Sequence, residues 1–358
     1  MLEAGLLQSI AMAPPPPAPP VPPPAPASQV MLAALAFGSL VALAAGATIL
    51  AWRFGALGGG GAGGIRGPVR VAGRTKPVAA LGIALLVALA VTPLPALVLA
   101  AMRGGIEAED LVGPLALVLN LSAFLLAAGA AVVALAVHNR FASPEDKVSL
   151  GLAPRLAPSG LVRGLGWLGL VLPWMLLAAI ALSLVRSLLG YDANATHELL
   201  EQMQSGRRDR DATLVVLAVF TAVVVAPLAE EILFRGVIQT GLAGLFCRVT
   251  GRGEPPAAPP PPPPEAHGFA LADDLYVPPD AVVAEPVAVG PTSGQRWAAI
   301  LITSGGFALL HPAWSIPLIL LLAIAMGWLY ERSGNLWVPM VVHLGFNAFN
   351  TALALAIA

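Results

Sequence analysis

Glu230, Glu231 and Arg235 lie in the middle of an apolar run, Thr213–Phe246, long enough to cross a bilayer. Each ionised side chain at membrane depth costs roughly 2.5–3.5 kcal/mol on insertion scales, so three together call for a use. The i,i+4 spacing of Glu231 and Arg235 sets them on one helical face, where they can pair. Glu230 points about 100° away, toward the side of Leu233 and Phe234, and is available to move a proton. Pro227 suits the first position of a helix, which would bring both carboxylates near a positive helix end. Two further polar sets follow in apolar surroundings. Phe307 and His311 stand one turn apart at the end of FALLH, before Pro312. His343, Asn347 and Asn350 form a stripe at i, i+4 and i+7 along the last apolar run. An ion pair that closes a packing site, or a hydrogen-bonded core histidine, would explain any one set. Two histidines, an asparagine stripe and a glutamate pair on three apolar segments favour a shared polar cavity in which each satisfies the others.

The chemistry is bounded by what is missing. Ser304 is near His311 in sequence, but no acid is placed to orient that imidazole, and neither HExxH nor GxSG occurs. A glutamate acting as general base on a water is one route, with His and Asn as donors to the developing oxyanion. The other is a zinc-bound water held by Glu230, His311 and His343. Both routes stay open at this level.

The segments EEILFR, FALLH and HLGFN, in that order on consecutive apolar stretches, resemble the EExxxR, FxxxH and HxxxN/D motifs of the CPBP/Abi intramembrane proteases. That family includes the CAAX prenyl endopeptidase of the Ras-converting type and bacteriocin-processing or immunity relatives. The resemblance covers Leu165–Ala358, with ERSGNLWVPMVVHLGFNAF as the run into the last motif. It implies that Glu230 activates the water and that Glu231, paired with Arg235, shapes the site. His311 would be a second catalytic group, and His343 with Asn347 would bind the oxyanion or a metal. The implied activity is an intramembrane endopeptidase, glutamic or metal-dependent, cutting peptides or membrane proteins near the membrane surface, prenylated ones included. Two other classes compete: a catalytically idle scaffold or immunity-type binding protein, and a transporter relaying protons. Complete motifs disfavour the first, and the lack of an internal repeat disfavours the second. No nucleic-acid partner is expected.

The elements that must position these groups are membrane helices. The 358 residues are 57% hydrophobic and 11% charged, with a mean hydropathy of +0.81, far from the roughly 25% charge of soluble domains. The single cysteine, Cys247, excludes an intrachain disulfide and a cysteine-rich zinc site. The expected fold is an all-α polytopic bundle of about eight spans around a polar intramembrane cavity. The spans are Val30–Trp52, Pro77–Met102 (kinked at Pro93 and Pro95), Val112–Val137, Leu165–Leu189, the Glu-bearing stretch, Trp297–Leu310, Ile316–Tyr330 and Leu336–Ile357. The Glu-bearing stretch is either one tilted helix or two broken at Pro227. The sixth and seventh are short for full spans, and LGLAPRLAPSGLVRG ahead of the fourth reads as an interfacial segment.

Residues 1–29 form a Pro-rich tail with no signal-peptide pattern, 30–164 the N-terminal helices and loops, and 165–358 the catalytic membrane domain. A disordered Pro-rich insertion, 250–294, interrupts that domain, and GALGGGGAGG at 55–64 reads as a flexible linker. Arg53, Arg66, Arg70, Arg74 and Lys76 in one loop, and Arg140, Lys147, Arg155 and Arg163 in another, place both in the cytoplasm, with the N-terminus outside. Glu107, Glu109 and Asp110 in the loop between agree. If the Glu-bearing stretch crosses once, the insertion is cytoplasmic too. The expected location is a bacterial cytoplasmic membrane.

Overall fold

A computed structural model describes residues 37–49, 74–103, 114–188, 212–251, 253 and 290–357. The tail, the Gly-rich linker and nearly all of the insertion lie outside the described residues, as do Glu107, Glu109 and Asp110. The helices are α1 (Phe37–Ile49), α2 (Thr75–Val91), α3 (Leu94–Arg103), α4 (Pro114–Phe141) and α5 (Ala157–Leu188). They continue with α6 (Ala212–Thr250), α7 (Ser293–Leu309), α8 (Ile316–Ser333) and α9 (Trp337–Ile357). The chain is an all-α polytopic bundle, as expected. Among the described residues, six helical stretches are long and apolar enough to cross a membrane: Thr75–Met102, Leu115–Phe141, Pro154–Leu188, Ala212–Thr250, Ile316–Ser333 and Trp337–Ala356.

Local chemistry sets the boundaries. Pro93 interrupts the second span between α2 and α3, as its missing N–H requires. A reciprocal Thr292–Gln295 capping box opens α7. Gly251 and Gly334, at φ of 61° and 62°, close α6 and α8 in the left-handed conformation that glycine takes freely. Two expectations change. The seventh span runs 18 residues, through Ser333, and is long enough to cross. The segment ahead of the fourth is helical from Ala157, so α5 has 32 residues.

That early start of α5 has a packing reason. Gly160 and Gly164 form a small-xxx-small face against α9. A Cβ on Gly160 would overlap the Trp337 side chain, and one on Gly164 would come within 2.6 Å of the Val341 Cβ. In lipid, where apolar burial drives helices together little, such backbone approach is what holds them. The same logic orders α2 against α4. Ala80, Ala84 and Ala88 are buried with Ala127 and Ala131, while Ile83, Leu86 and Leu89 are more than half exposed, on the side that lipid would cover.

The 142–153 loop is stapled under the bundle. Asn139 pairs with both the N–H and the C=O of Val148, at 2.8 Å each. Tyr330 donates to the Leu150 carbonyl (3.2 Å), and Lys76 reaches Asp146 at 3.1 Å. The Glu-bearing stretch is one continuous helix, long and apolar enough to cross a membrane. Gly241 in its later half faces Leu81 in the early turns of α2, so Thr250 lies toward the Lys76–Asp146 end, the end expected in the cytoplasm. There Gln295 donates to the Thr250 hydroxyl at 2.7 Å, joining the two sides of the insertion.

Candidate active site

The site forms where α6, α7 and α9 meet, and its shape begins with an irregularity in α6. Pro227 does not start a helix. It sits inside one, flanked by two π-helical segments, Thr221–Val225 and Glu231–Gln239. Such wide turns cluster at functional sites, and a proline without N–H is one cause of them. The carboxylates are therefore mid-helix, and the expected help from a helix end is replaced by direct contacts.

Glu231 and Arg235 pair at 3.1 Å, both essentially without solvent exposure. The guanidinium also donates to the Ala323 carbonyl at 3.3 Å and lies over the Phe307 ring at 4.7 Å. A desolvated pair of this kind holds only if the surroundings complete it. His343 adds one partner, with Nδ1 2.9 Å from Glu231 Oε1, while Glu231 Oε2 and Arg235 Nε and Nη1 are buried without a hydrogen-bond partner. Glu231, paired with Arg235, accepts, so Nδ1 carries the proton and Nε2 is the ring's acceptor nitrogen. Nε2 lies 3.6 Å from Glu230 Oε2. The two glutamates thus bracket one imidazole, although helical spacing alone sets them apart. Glu230 retains 16% exposure at its side chain, against 0% for Glu231.

Phe307 is the hub of the remaining contacts. Its ring meets Phe234 edge-on at 4.9 Å, His311 at 4.7 Å and His343 at 6.0 Å. His311 donates from Nδ1 to the Phe307 carbonyl at 3.0 Å, one turn back, so its Nε2 is the nitrogen turned away from the backbone. The one-turn pairing of Phe307 and His311 read from sequence is what the structure has.

The final stripe behaves differently from its pattern. Asn347 does not turn its nitrogen to a common point with His343; it donates to the Ala222 carbonyl on α6 at 2.8 Å. Asn350 is exposed and folds back on the Phe346 carbonyl of its own helix, at 2.9 Å. The zinc ligand set does not fit. His343 turns its two nitrogens to two carboxylates, and among the described residues no three His, Cys, Asp or Glu side chains gather to hold a metal.

A second buried polar cluster lies nearby on α6, α7 and α8, unforeseen from the sequence. Arg296 pairs with Glu331 at 2.9 Å and donates to the Pro291 carbonyl. Gln239 donates to Glu331 at 3.0 Å and to the Gly327 carbonyl at 3.1 Å. It ties together the helix that carries the glutamates, the helix that leads into His311 and the helix that bears the Arg235-binding carbonyl of Ala323. The one available signal was charge in apolar runs, Glu331 within ILLLAIAMGWLYERS above all.

No curated protein and no solved structure matches the chain. One family model does, over residues 212–349, a stretch that begins later than the expected Leu165 and contains all three motifs with every site residue from Glu230 to Asn347. The family is described as Rce1-like, type II CAAX prenyl endopeptidase, and it is to this family that the segment is similar.

Proposed function

We propose that the chain is an intramembrane endopeptidase in which Glu230 activates the attacking water. The observation that supports this most is the division of labour between adjacent carboxylates around His343. Glu231 is spent on Arg235 and on His343 Nδ1, whereas Glu230 keeps solvent access and faces Nε2 across 3.6 Å. That gap is long for a direct hydrogen bond, yet a water about 2.8 Å from each atom can sit at the apex between them.

The water oxygen bonds to the scissile carbonyl carbon while its proton passes to Glu230. The tetrahedral intermediate collapses with cleavage of the C–N bond, and the proton held by Glu230 leaves on the amine. The charge on the carbonyl oxygen needs donors. His311 is the side chain to supply one, since its Nδ1 is occupied by the Phe307 carbonyl and its Nε2 can face substrate when protonated. Arg235 and Glu231 hold His343 in the tautomer that leaves Nε2 as acceptor for the water's second proton. No step here passes through a metal. The substrate class follows the family description: a peptide segment at the membrane, with prenylated C-terminal peptides the first to try.

Purified protein in detergent, assayed on quenched peptides with and without a prenyl group, tests this. Glu230→Gln keeps size and shape but removes the base, and should lower kcat by on the order of 10²–10⁴-fold at normal yield and melting temperature. Activity that survives in Glu230→Gln refutes the assignment.

A further inference from the structure

The hydrogen bond between Asn347 and Ala222 has a cause written in α6. In the wide turn before Pro227, the N–H of Ala226 goes to the carbonyl of Thr221, five residues back. Continued by one residue, that register asks residue 227 to donate to the carbonyl of Ala222. Residue 227 is proline and has no N–H. Ala222 is 9% exposed, in a helix that spans the membrane, where an unpaired backbone carbonyl is costly because no water reaches it. Asn347 Nδ2 lies 2.8 Å from that oxygen.

We infer that Asn347 is a positioning residue whose amide stands in for the N–H that Pro227 lacks, and that this bond sets the rotation of α6 at the glutamates. Asn347 is one turn beyond His343 on α9, and Ala222 is nine residues before Glu231 on α6. The two contacts, Asn347 to Ala222 and His343 to Glu231, therefore tie the same pair of helices at two levels. With both made, Glu230 and Glu231 converge on one imidazole. With the first lost, the wide turn can shift toward another register and swing Glu230 away from Nε2. The effect on catalysis rests on Glu230 being the base; the effect on folding does not.

The test is a cycle of full-length proteins in detergent: parent, Asn347→Leu, Pro227→Ala and the double variant. Pro227→Ala returns an N–H to α6, so the Ala222 carbonyl no longer depends on Asn347. Asn347→Leu alone should lower the melting temperature by roughly 2–8 °C. It should also lower kcat on the order of 10²-fold with KM little changed, as expected of a misplaced reacting group. The double variant should return to the level of Pro227→Ala in both readouts. Loss of kcat at an unchanged melting temperature, without rescue by Pro227→Ala, would place Asn347 at the reacting atoms and overturn the inference. If Pro227→Ala does not accumulate, Asn347→Gln and Asn347→Asp replace it. A Gln near the parent with an Asp below Leu supports the inference, since Asp sets acceptor against acceptor; an Asp melting at or above the parent overturns it. Should the parent cleave no peptide, the catalytic reading fails, and the melting cycle still decides this one.

Discussion

Removing the Arg235 guanidinium should unfold the site before it touches the chemistry. Arg235→Met keeps much of the volume against Phe307 and takes away one charge. Glu231 would then be a carboxylate without solvent exposure whose remaining partner is the imidazole at 2.9 Å. At 3.1 Å, with an effective dielectric constant near 20, the lost attraction is about 5 kcal/mol. Truncating one member of a buried pair costs roughly 3–5 kcal/mol in other proteins, so the two scales agree. For a chain of this size that corresponds to a fall of roughly 4–7 °C in melting temperature. Arg235→Lys should fall between, because an ammonium restores the charge but neither the planar stacking on Phe307 nor the reach to Ala323. Glu231→Gln combined with Arg235→Met should recover much of the loss, since no unpaired charge remains. The assay is thermal melting in detergent, followed by the fraction remaining monodisperse. An Arg235→Met protein that melts within a degree or two of the parent would refute the argument that this pair holds the site together.

Other outcomes follow from the same structure. Replacing residues 255–289 by a short Gly/Ser linker should leave melting and cleavage intact, since Gln295 already bonds Thr250 across the gap, Pro291 and its bond to Arg296 are kept, and closure entropy varies only logarithmically with loop length; loss of all cleavage in a folded protein would contradict it. Gly164→Leu should push α5 off α9 at Val341, costing at least the roughly 1–3 kcal/mol of an overpacked core; an unchanged melting temperature would show that this contact is dispensable. Asp146, held below the usual carboxylate range first by the Ser143 hydroxyl and then by Lys76, stabilises the loop where it is ionised. That contribution is present above the ordinary value of 3.8 and fades as pH falls through the lowered one. Asp146→Asn should therefore melt below the parent at pH 7 and approach it in strong acid; an equal deficit at both pH values would contradict the linkage.

What could be read from the residues alone was whatever is carried by runs and by spacing within one helix. Apolar length places the helices, i,i+4 spacing places Glu231 with Arg235 and Phe307 with His311, and the order of motifs gives the resemblance to a family. What could not be read depends on a backbone group or on a partner far along the chain. Asn347 looks like a neighbour of His343 by spacing, but its partner is a carbonyl that becomes available through a proline 120 residues earlier. Glu230 and Glu231 diverge on an ideal helix, and the wide turns around Pro227 with an imidazole set between them bring them to one point. Gly160 and Gly164 stand among Pro and Ser, so the stretch reads as irregular until α9 is seen against it. Gln239, Arg296 and Glu331 are each plausible alone, and their meeting is a tertiary fact.

The Thr250–Gln295 bond also has a practical use. A membrane protein of 36.5 kDa offers poor alignment signal to single-particle electron microscopy. Here α6 runs without interruption to Thr250 and α7 begins at a well-formed cap, with the two ends held side by side. A compact soluble domain with adjacent termini, spliced between them through helical joints, would ride rigidly on the bundle as a fiducial. Because α6 bears the glutamates and α7 leads directly into His311, the added mass would report on how those two helices move when a peptide binds.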